Sequence, residues 1–177
     1  MAAAGSALKP NHTLLLIASL QQNFALGVQK MTDVVFEVKG VAENVSPEAF
    51  YLWATQFFNC WQQFERQSAF SPIPYFLLCR TMELAIKSIH LKSKTQTQVK
   101  LDYSHNILKA YDALDGTLKT LSQNEYDALA KASPIYNGKG FEYFNPGHAL
   151  AGYSNFPDLE ALSSATTKIL SLFSNAN

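Results

Sequence analysis

The feature that most constrains the fold is the recurrence of apolar residues at intervals of three and four along most of the chain. An α-helix has about 3.6 residues per turn, so this spacing gathers the apolar side chains on one face. The clearest row follows the spacing four, three, four, three and consists of Ile107, Tyr111, Leu114, Leu118 and Leu121. We therefore predict an all-α fold, with an ambiguous segment at 33–40 that fits a helix or a short strand.

Helix-end signals divide the chain into segments. Ser46 is a candidate N-cap followed by Pro47 in the first helical position, and Ser122 with Glu125 has the capping-box pattern. The polar stretch "KSKTQTQVK" predicts a loop at 92–100. The predicted helices cover about 13–31, 47–64, 74–94, 104–121, 123–133 (ended by Pro134) and 157–173 (with Pro157 in its first turn), and a long ordered loop covers 134–157.

Composition restricts the class of protein. With 177 residues, 47% of them hydrophobic and 16% charged, the chain is long enough to bury a core and too apolar to be disordered. Fourteen basic residues balance fourteen acidic ones, so a site for an anion must be local. We predict a flexible leader over 1–12 and a single domain over 13–177.

No apolar run reaches the roughly 18 to 20 residues that span a bilayer, so no membrane association is expected. Cys60 and Cys79 have no metal-like spacing and are predicted to be buried, reduced thiols of a cytoplasmic protein. No metal and no cofactor are expected. An aromatic row at helical spacing, Trp53, Phe57, Trp61 and Phe64, is predicted to lie in the core.

Common catalytic signatures are absent: there is no Gly-rich phosphate loop, His-Glu-x-x-His, Cys-x-x-Cys or Gly-x-Ser-x-Gly. The polar groups of interest lie in a predicted helical hairpin formed by 74–94 and 104–121. Antiparallel packing would bring Lys87 and His90 near His105. A separate histidine, His148, is a weaker candidate for a pocket lined by Tyr143 and Phe144.

These hairpin residues have two interpretations. If His105 lies in the first turn of its helix, the helix dipole favours its neutral form, and Lys87 and Lys100 hold a phosphate beside it. The simpler and preferred interpretation is that Glu83 and Lys87 form an ion pair on a solvated face, which also carries Arg80, His90 and Lys94.

Two stretches resemble the HEPN family of helical domains. "YFLLCRTMELAIKSIHL" at 75–91 is similar to its Glu-Leu-x-x-Lys helix, and "YSHNILKAYDAL" at 103–114 is similar to its His-(Asp/Asn)-Leu helix. The resemblance covers about 48–173, including the closing "FPDLEALSSATTKIL". It implies an up-and-down bundle, here of about five to six helices, that is frequently dimeric and associated with RNA cleavage, nucleotide binding or a nucleotidyltransferase partner.

The ribonucleases of this family resemble one another in an Arg followed, after four to six residues, by His. Neither Arg66 nor Arg80 has a His at that distance, and the nearest match is Lys100 before His105. A lysine lacks the planar fork of arginine, which weakens the ribonuclease interpretation. In that alternative, His105 is the acid or base and Lys100 stabilises the anion.

The preferred function is a non-catalytic HEPN-like module that forms a homodimer or binds a protein partner, with a site for a nucleotide or another anion. Its candidate ligand-binding residues are Lys87, His90, His105 and Asn106. The alternative is a metal-independent ribonuclease acting on RNA across a dimer interface. Whether the chain is an enzyme is left open, with the binding role preferred.

Overall fold

The residues described by the computed structural model are 46–66 and 70–175, and all belong to one compact unit, Ala42–Asn177. Over these residues the fold is all-α, as predicted, with no strand. The predicted leader, the helix at 13–31 and the segment at 33–40 lie outside the described residues, so a single domain over 13–177 stays a prediction. The helices are α1 (Pro47–Gln62), α2 (Ile73–His90), α3 (Gln96–Tyr103), α4 (Ile107–Asp112), α5 (Gln123–Asn137), α6 (Pro146–Leu150) and α7 (Leu159–Asn175).

Helix α2 is the centre of the bundle. It packs most extensively against α1 and α7 and also contacts α4 and α5. Apolar residues that recur on α2 at spacings of four and three are buried, with Leu78, Met82 and Ala85 fully inaccessible to solvent. Because neighbours surround α2 on several sides, its polar residues are buried as well: Glu83 is 2% exposed and His90 is 7% exposed. The prediction of a solvated polar face is therefore wrong for these two residues.

The predicted hairpin differs from the structure in two places. The segment at 92–100 is not all loop, because Thr95 and Gln98 form a capping box that begins α3 at Gln96. The helix predicted over 104–121 is much shorter, since α4 ends at Asp112 and a 3₁₀ turn follows at Gly116–Leu118. The start of α3 depends on a capping box, which a periodicity pattern does not include.

Helix ends were predicted with mixed success. Ser46 accepts a hydrogen bond from the backbone of Glu48 with Pro47 in the first turn, and the capping box of Ser122 and Glu125 begins α5; both predictions are confirmed. Pro134 does not end its helix, because α5 continues to Asn137. Burial of Ser133 and Tyr136 at 3% and 4% exposure anchors the last turn despite the missing N–H of the proline.

The remaining corrections concern burial and the last loop. Trp53 is 57% exposed and the other three aromatic residues of its row are half-buried, so this row lies at the edge of the core. Cys79 is buried but Cys60 is exposed. The loop predicted over 134–157 contains helix α6, and Pro157 precedes α7, whose first turn is capped by Asp158 accepting from Ala161 N. No described helix has the length and apolar character required to cross a bilayer.

Candidate functional site

A buried carboxylate organises the candidate site. Glu83, on the central helix α2, accepts from Arg80 Nη1 at 2.9 Å and from Lys87 Nζ at 2.6 Å. Arg80 and Lys87 lie three residues before and four residues after Glu83, so the helix itself aligns all three side chains. We call Arg80, Glu83, Lys87, His105 and Tyr136 the Glu83 cluster.

Two distant parts of the chain complete the Glu83 cluster. His105 Nδ1 lies 3.0 Å from Oε1 of Glu83, and the Tyr136 hydroxyl donates to Oε2. A carboxylate is only an acceptor, so Nδ1 of His105 carries a proton, and in the neutral tautomer of this ring Nε2 is the acceptor. The side chain of His105 is 52% exposed, so this nitrogen lies on a ring that solvent and ligands reach.

The charges in the Glu83 cluster stabilise the ionised carboxylate. Burial by itself raises the pKa of Glu83, but the Lys87 ammonium, the Tyr136 hydroxyl and the Arg80 guanidinium together hold it below its ordinary value. Burial and the adjacent Glu83 charge raise the pKa of Tyr136, so its hydroxyl stays a proton donor in the hydrogen bond. Glu83 is therefore charged near neutral pH and keeps both cations in fixed positions.

His105 owes its position to a tight turn between α3 and α4. Asn106 N donates to Tyr103 O at 2.8 Å, which closes a turn whose central residues are Ser104 and His105. Ser104 has φ +47° and ψ −118°, the conformation of the first central residue of a type II′ turn, where glycine is normally found. The strained backbone directs the chain back toward α2 and brings His105 to Glu83.

This geometry corrects the predicted place of His105 in its helix. The N-cap of α4 is Asn106, whose side chain accepts from Lys109 N at 2.9 Å and also from Ser133 Oγ. His105 therefore precedes the helix, and its partner is a carboxylate rather than the helix terminus. Asn106, predicted to bind a ligand, is occupied by capping.

The structure brings Lys87, Lys100 and His105 together at one surface depression. This basic depression has a volume of about 260 Å³ and is lined by Arg80, Glu83, Lys87, Lys100 and His105, among others. Three cationic side chains, Arg80, Lys87 and Lys100, face one carboxylate there, so the depression carries a net positive charge. Within 46–66 and 70–175 the Lys100 side chain has no hydrogen bond or ion pair, which leaves it available to a ligand.

His90 does not line the basic depression, contrary to the prediction. Its Nε2 donates to Ala110 O at 2.9 Å, and its ring stacks on Tyr103 with the centroids 4.4 Å apart. Burial lowers the pKa of His90, although the Ala110 carbonyl opposes this effect. His90 is a neutral residue of the core that joins α2 to α4.

His148 also lies apart from the basic depression. Its Nδ1 lies 2.9 Å from Nδ2 and 3.1 Å from Oδ1 of Asn155, and its ring packs edge-on against Phe156. Tyr143 and Phe144, the predicted walls of its pocket, are 66% and 79% exposed. The histidine belongs to an aromatic cluster that fixes the loop between α5 and α7.

Sequence reasoning missed three residues of the Glu83 cluster. Arg80 was assigned to the solvated face and was otherwise considered only through its distance along the chain from a histidine, and Glu83 was assigned to a solvated ion pair. Their spacing of three and four with Lys87 was the available signal. Tyr136 gave none, because it lies 53 residues from Glu83 in the sequence. Within the described part of the chain, no group of three His, Cys, Asp or Glu side chains is arranged to hold a metal ion.

Comparison of the chain with protein-family models, with curated proteins and with solved structures gave no match.

Proposed function

We propose that this chain is a HEPN-like helical binding module whose ligand carries a phosphate group, as a nucleotide does. One observation carries the proposal: Arg80 and Lys87 are held around a buried Glu83 at the wall of a depression that Lys100 and His105 also line. Cations that are already fixed lose little conformational entropy when an anion binds. A planar guanidinium beside two ammonium groups suits the several oxygens of a phosphate.

Calorimetric titration with pyrophosphate, which contains no base or sugar, tests the anion site directly. We expect binding that weakens about fivefold to tenfold in Lys100→Ala, because one charge-assisted contact is worth on the order of 1 kcal/mol near a protein surface. Lys168→Ala is the matched control, since this lysine of α7 pairs with Glu125 of α5, away from the basic depression. Absence of binding by the wild-type chain, or an equal loss in both variants, would contradict the proposal.

The module is also proposed to form a homodimer or to bind a protein partner. Leu52 and Trp53 on α1 each expose 57% of their surface, and adjacent large apolar side chains on a helix favour burial in an interface. Light scattering should give the mass of a dimer for the wild-type chain and of a monomer for Leu52→Glu. If the wild-type chain is a monomer, the homodimer hypothesis is wrong, and only the hypothesis that the chain binds a different protein remains.

The contact between His105 and Glu83 favours one second candidate, a metal-independent ribonuclease acting across a dimer interface. A carboxylate on Nδ1 orients the imidazole and leaves Nε2 to take a proton from a 2′-hydroxyl. Arg80, which joins the same Glu83 cluster, replaces Lys100 as the better stabiliser of the developing charge. Cleavage of RNA by the wild-type chain but not by His105→Ala would establish this activity, and no cleavage by either would exclude it.

A further inference from the structure

A second depression adjoins the basic one and shares Arg80 and His105 with it. This Glu142 depression has a volume of about 310 Å³, and its other walls include Phe57, Phe76 and Glu142. The Arg80 guanidinium lies 5.8 Å from the centroid of the Phe57 ring, so the aromatic wall begins where the basic depression ends. A ligand that places a phosphate on Arg80 therefore has aromatic side chains within reach of its other end.

The carboxylate of Glu142 is held at the rim by the fold of its loop. Phe141, the residue before it, is buried at 4% exposure and stacks with Tyr75, which anchors the loop to α2. Lys139 has φ +58°, and Glu142 N donates to Lys139 O at 3.0 Å, so a closed turn leads directly to Glu142. Glu142 itself is exposed, and no partner of its carboxylate is recorded in residues 46–66 and 70–175.

A third depression, on the other side of Arg80, offers a contrast. It has a volume of about 280 Å³ and is lined by Ala49, Phe50, Trp53 and Leu84 with Arg80 and Gln96. A nucleobase has polar edges, and these lose free energy on burial unless they find hydrogen-bond partners. No carboxylate lines this third depression, whereas the Glu142 depression combines aromatic walls with a strong hydrogen-bond acceptor.

We propose that the Glu142 depression binds the base of a guanine nucleotide while the phosphate lies on Arg80, Lys87 and Lys100; this proposal depends on the anion site proposed above. An ionised carboxylate only accepts hydrogen bonds, and guanine presents two adjacent donors, N1–H and the N2 amine, on one edge. Two parallel hydrogen bonds to one carboxylate are a bidentate contact, and such contacts discriminate between bases. Hypoxanthine lacks the N2 amine and offers one donor there.

Titration with guanosine and inosine 5′-monophosphates tests the proposal, because the two ligands differ only by that amine. We expect guanosine monophosphate to bind the wild-type chain about tenfold more tightly than inosine monophosphate. A well-placed hydrogen-bond pair to a base edge distinguishes two bases by about this factor. Glu142→Gln should bring the two affinities together, because the amide presents a donor in place of one carboxylate oxygen. Glu160→Gln, which changes an exposed glutamate of α7, is the control and should keep the preference.

The outcomes separate this proposal from the one on which it depends. If pyrophosphate binds but the two nucleotides bind the wild-type chain equally, the anion site stands and base recognition by Glu142 is wrong. If the preference for guanosine monophosphate persists in Glu142→Gln but disappears in Trp53→Ala, the base lies in the third depression, beside Trp53. That result also overturns base recognition by Glu142. If neither pyrophosphate nor a nucleotide binds, both proposals fail together.

Discussion

Two carboxylates, Glu83 and Glu125, are buried to a similar extent but have different surroundings and different roles. Glu125 is 4% exposed and accepts from Ser122 N and Ser122 Oγ in the capping box of α5, and from Ser164 Oγ and Lys168 Nζ on α7. Its partners are hydroxyl and backbone groups and one ammonium, so the net charge is zero. The carboxylate links two helices and offers nothing further to a ligand.

The surroundings of Glu83 carry an excess of positive charge. Its carboxylate binds two permanent cations, Arg80 and Lys87, as well as His105 and Tyr136. Two of these partners reach the surface, since the side chain of Arg80 is 28% exposed and that of His105 is 52% exposed. Glu83, unlike Glu125, therefore has partners whose total positive charge is greater than its own negative charge, and some of these partners are exposed to solvent.

The largest difference between the two carboxylates should appear in stability. Glu83→Ala leaves two partly buried cations without their counter-charge and removes the acceptor of the buried Tyr136 hydroxyl. We expect a loss of about 3 to 5 kcal/mol in the free energy of unfolding, measured with urea. A loss below about 1 kcal/mol would mean that water and other groups replace the carboxylate, and that Glu83 does not organise the cluster.

Glu125→Ala should cost less, about 1 to 2 kcal/mol in the same measurement. The substitution removes half of a capping box, but Lys168 has a side chain that is 44% exposed and regains hydration. If Glu125→Ala proves as destabilising as Glu83→Ala, the contrast between a charge-neutral link and a cluster with excess cations is wrong.

Acid titration sharpens the role of Glu125. Burial tends to raise its pKa, but Lys168, Ser164 and Ser122 lower it from 4.5 to about 2. Because the folded-state value lies below the ordinary one, the ionised form stabilises the fold above pH 4.5, and this contribution is lost as the pH falls toward 2. The stability difference between the wild-type chain and Glu125→Gln should therefore shrink from pH 5 to pH 2. A difference independent of pH would contradict the assigned hydrogen bonds.

The lysines near the two carboxylates should give opposite results. Lys168→Ala is expected to lower stability by about 0.5 to 1 kcal/mol and to leave pyrophosphate affinity unchanged. Lys100→Ala is expected to weaken pyrophosphate binding and to leave stability within about 0.5 kcal/mol of the wild-type value. Urea denaturation and calorimetry on the same two variants decide the point. Reduced affinity in Lys168→Ala would show that ligand binding reaches beyond the basic depression.

The last expected effect concerns the turn that places His105. Ser104→Gly should raise stability by about 0.5 to 1 kcal/mol, because glycine adopts φ +47° without a Cβ clash. Pyrophosphate affinity should change by less than about twofold, since the path of the turn is retained. A destabilised variant would indicate that the side chain of Ser104, a residue that lines the basic depression, makes a contact that the turn needs.

Much of the helical pattern was readable from the sequence because it depends on local rules. The caps at Ser46 and Ser122 and the buried row of α2 follow from side-chain chemistry and from spacing within a few residues. The start of α3 and the continuation of α5 through Pro134 were not predicted. A capping box of Thr and Gln is a weaker signal, and Tyr136 holds the last turn through a contact with another helix.

By itself, the sequence determined the all-α class and placed Lys87, Lys100 and His105 among the candidates, since periodicity and residue type are properties of the linear chain. Only the tertiary structure decided that Glu83 is buried, that Arg80 and Tyr136 join it, and that His90 belongs to the core. The physical reason is that burial and charge pairing depend on which helices surround α2, and residues as distant as Glu83 and Tyr136 meet only after those helices have packed.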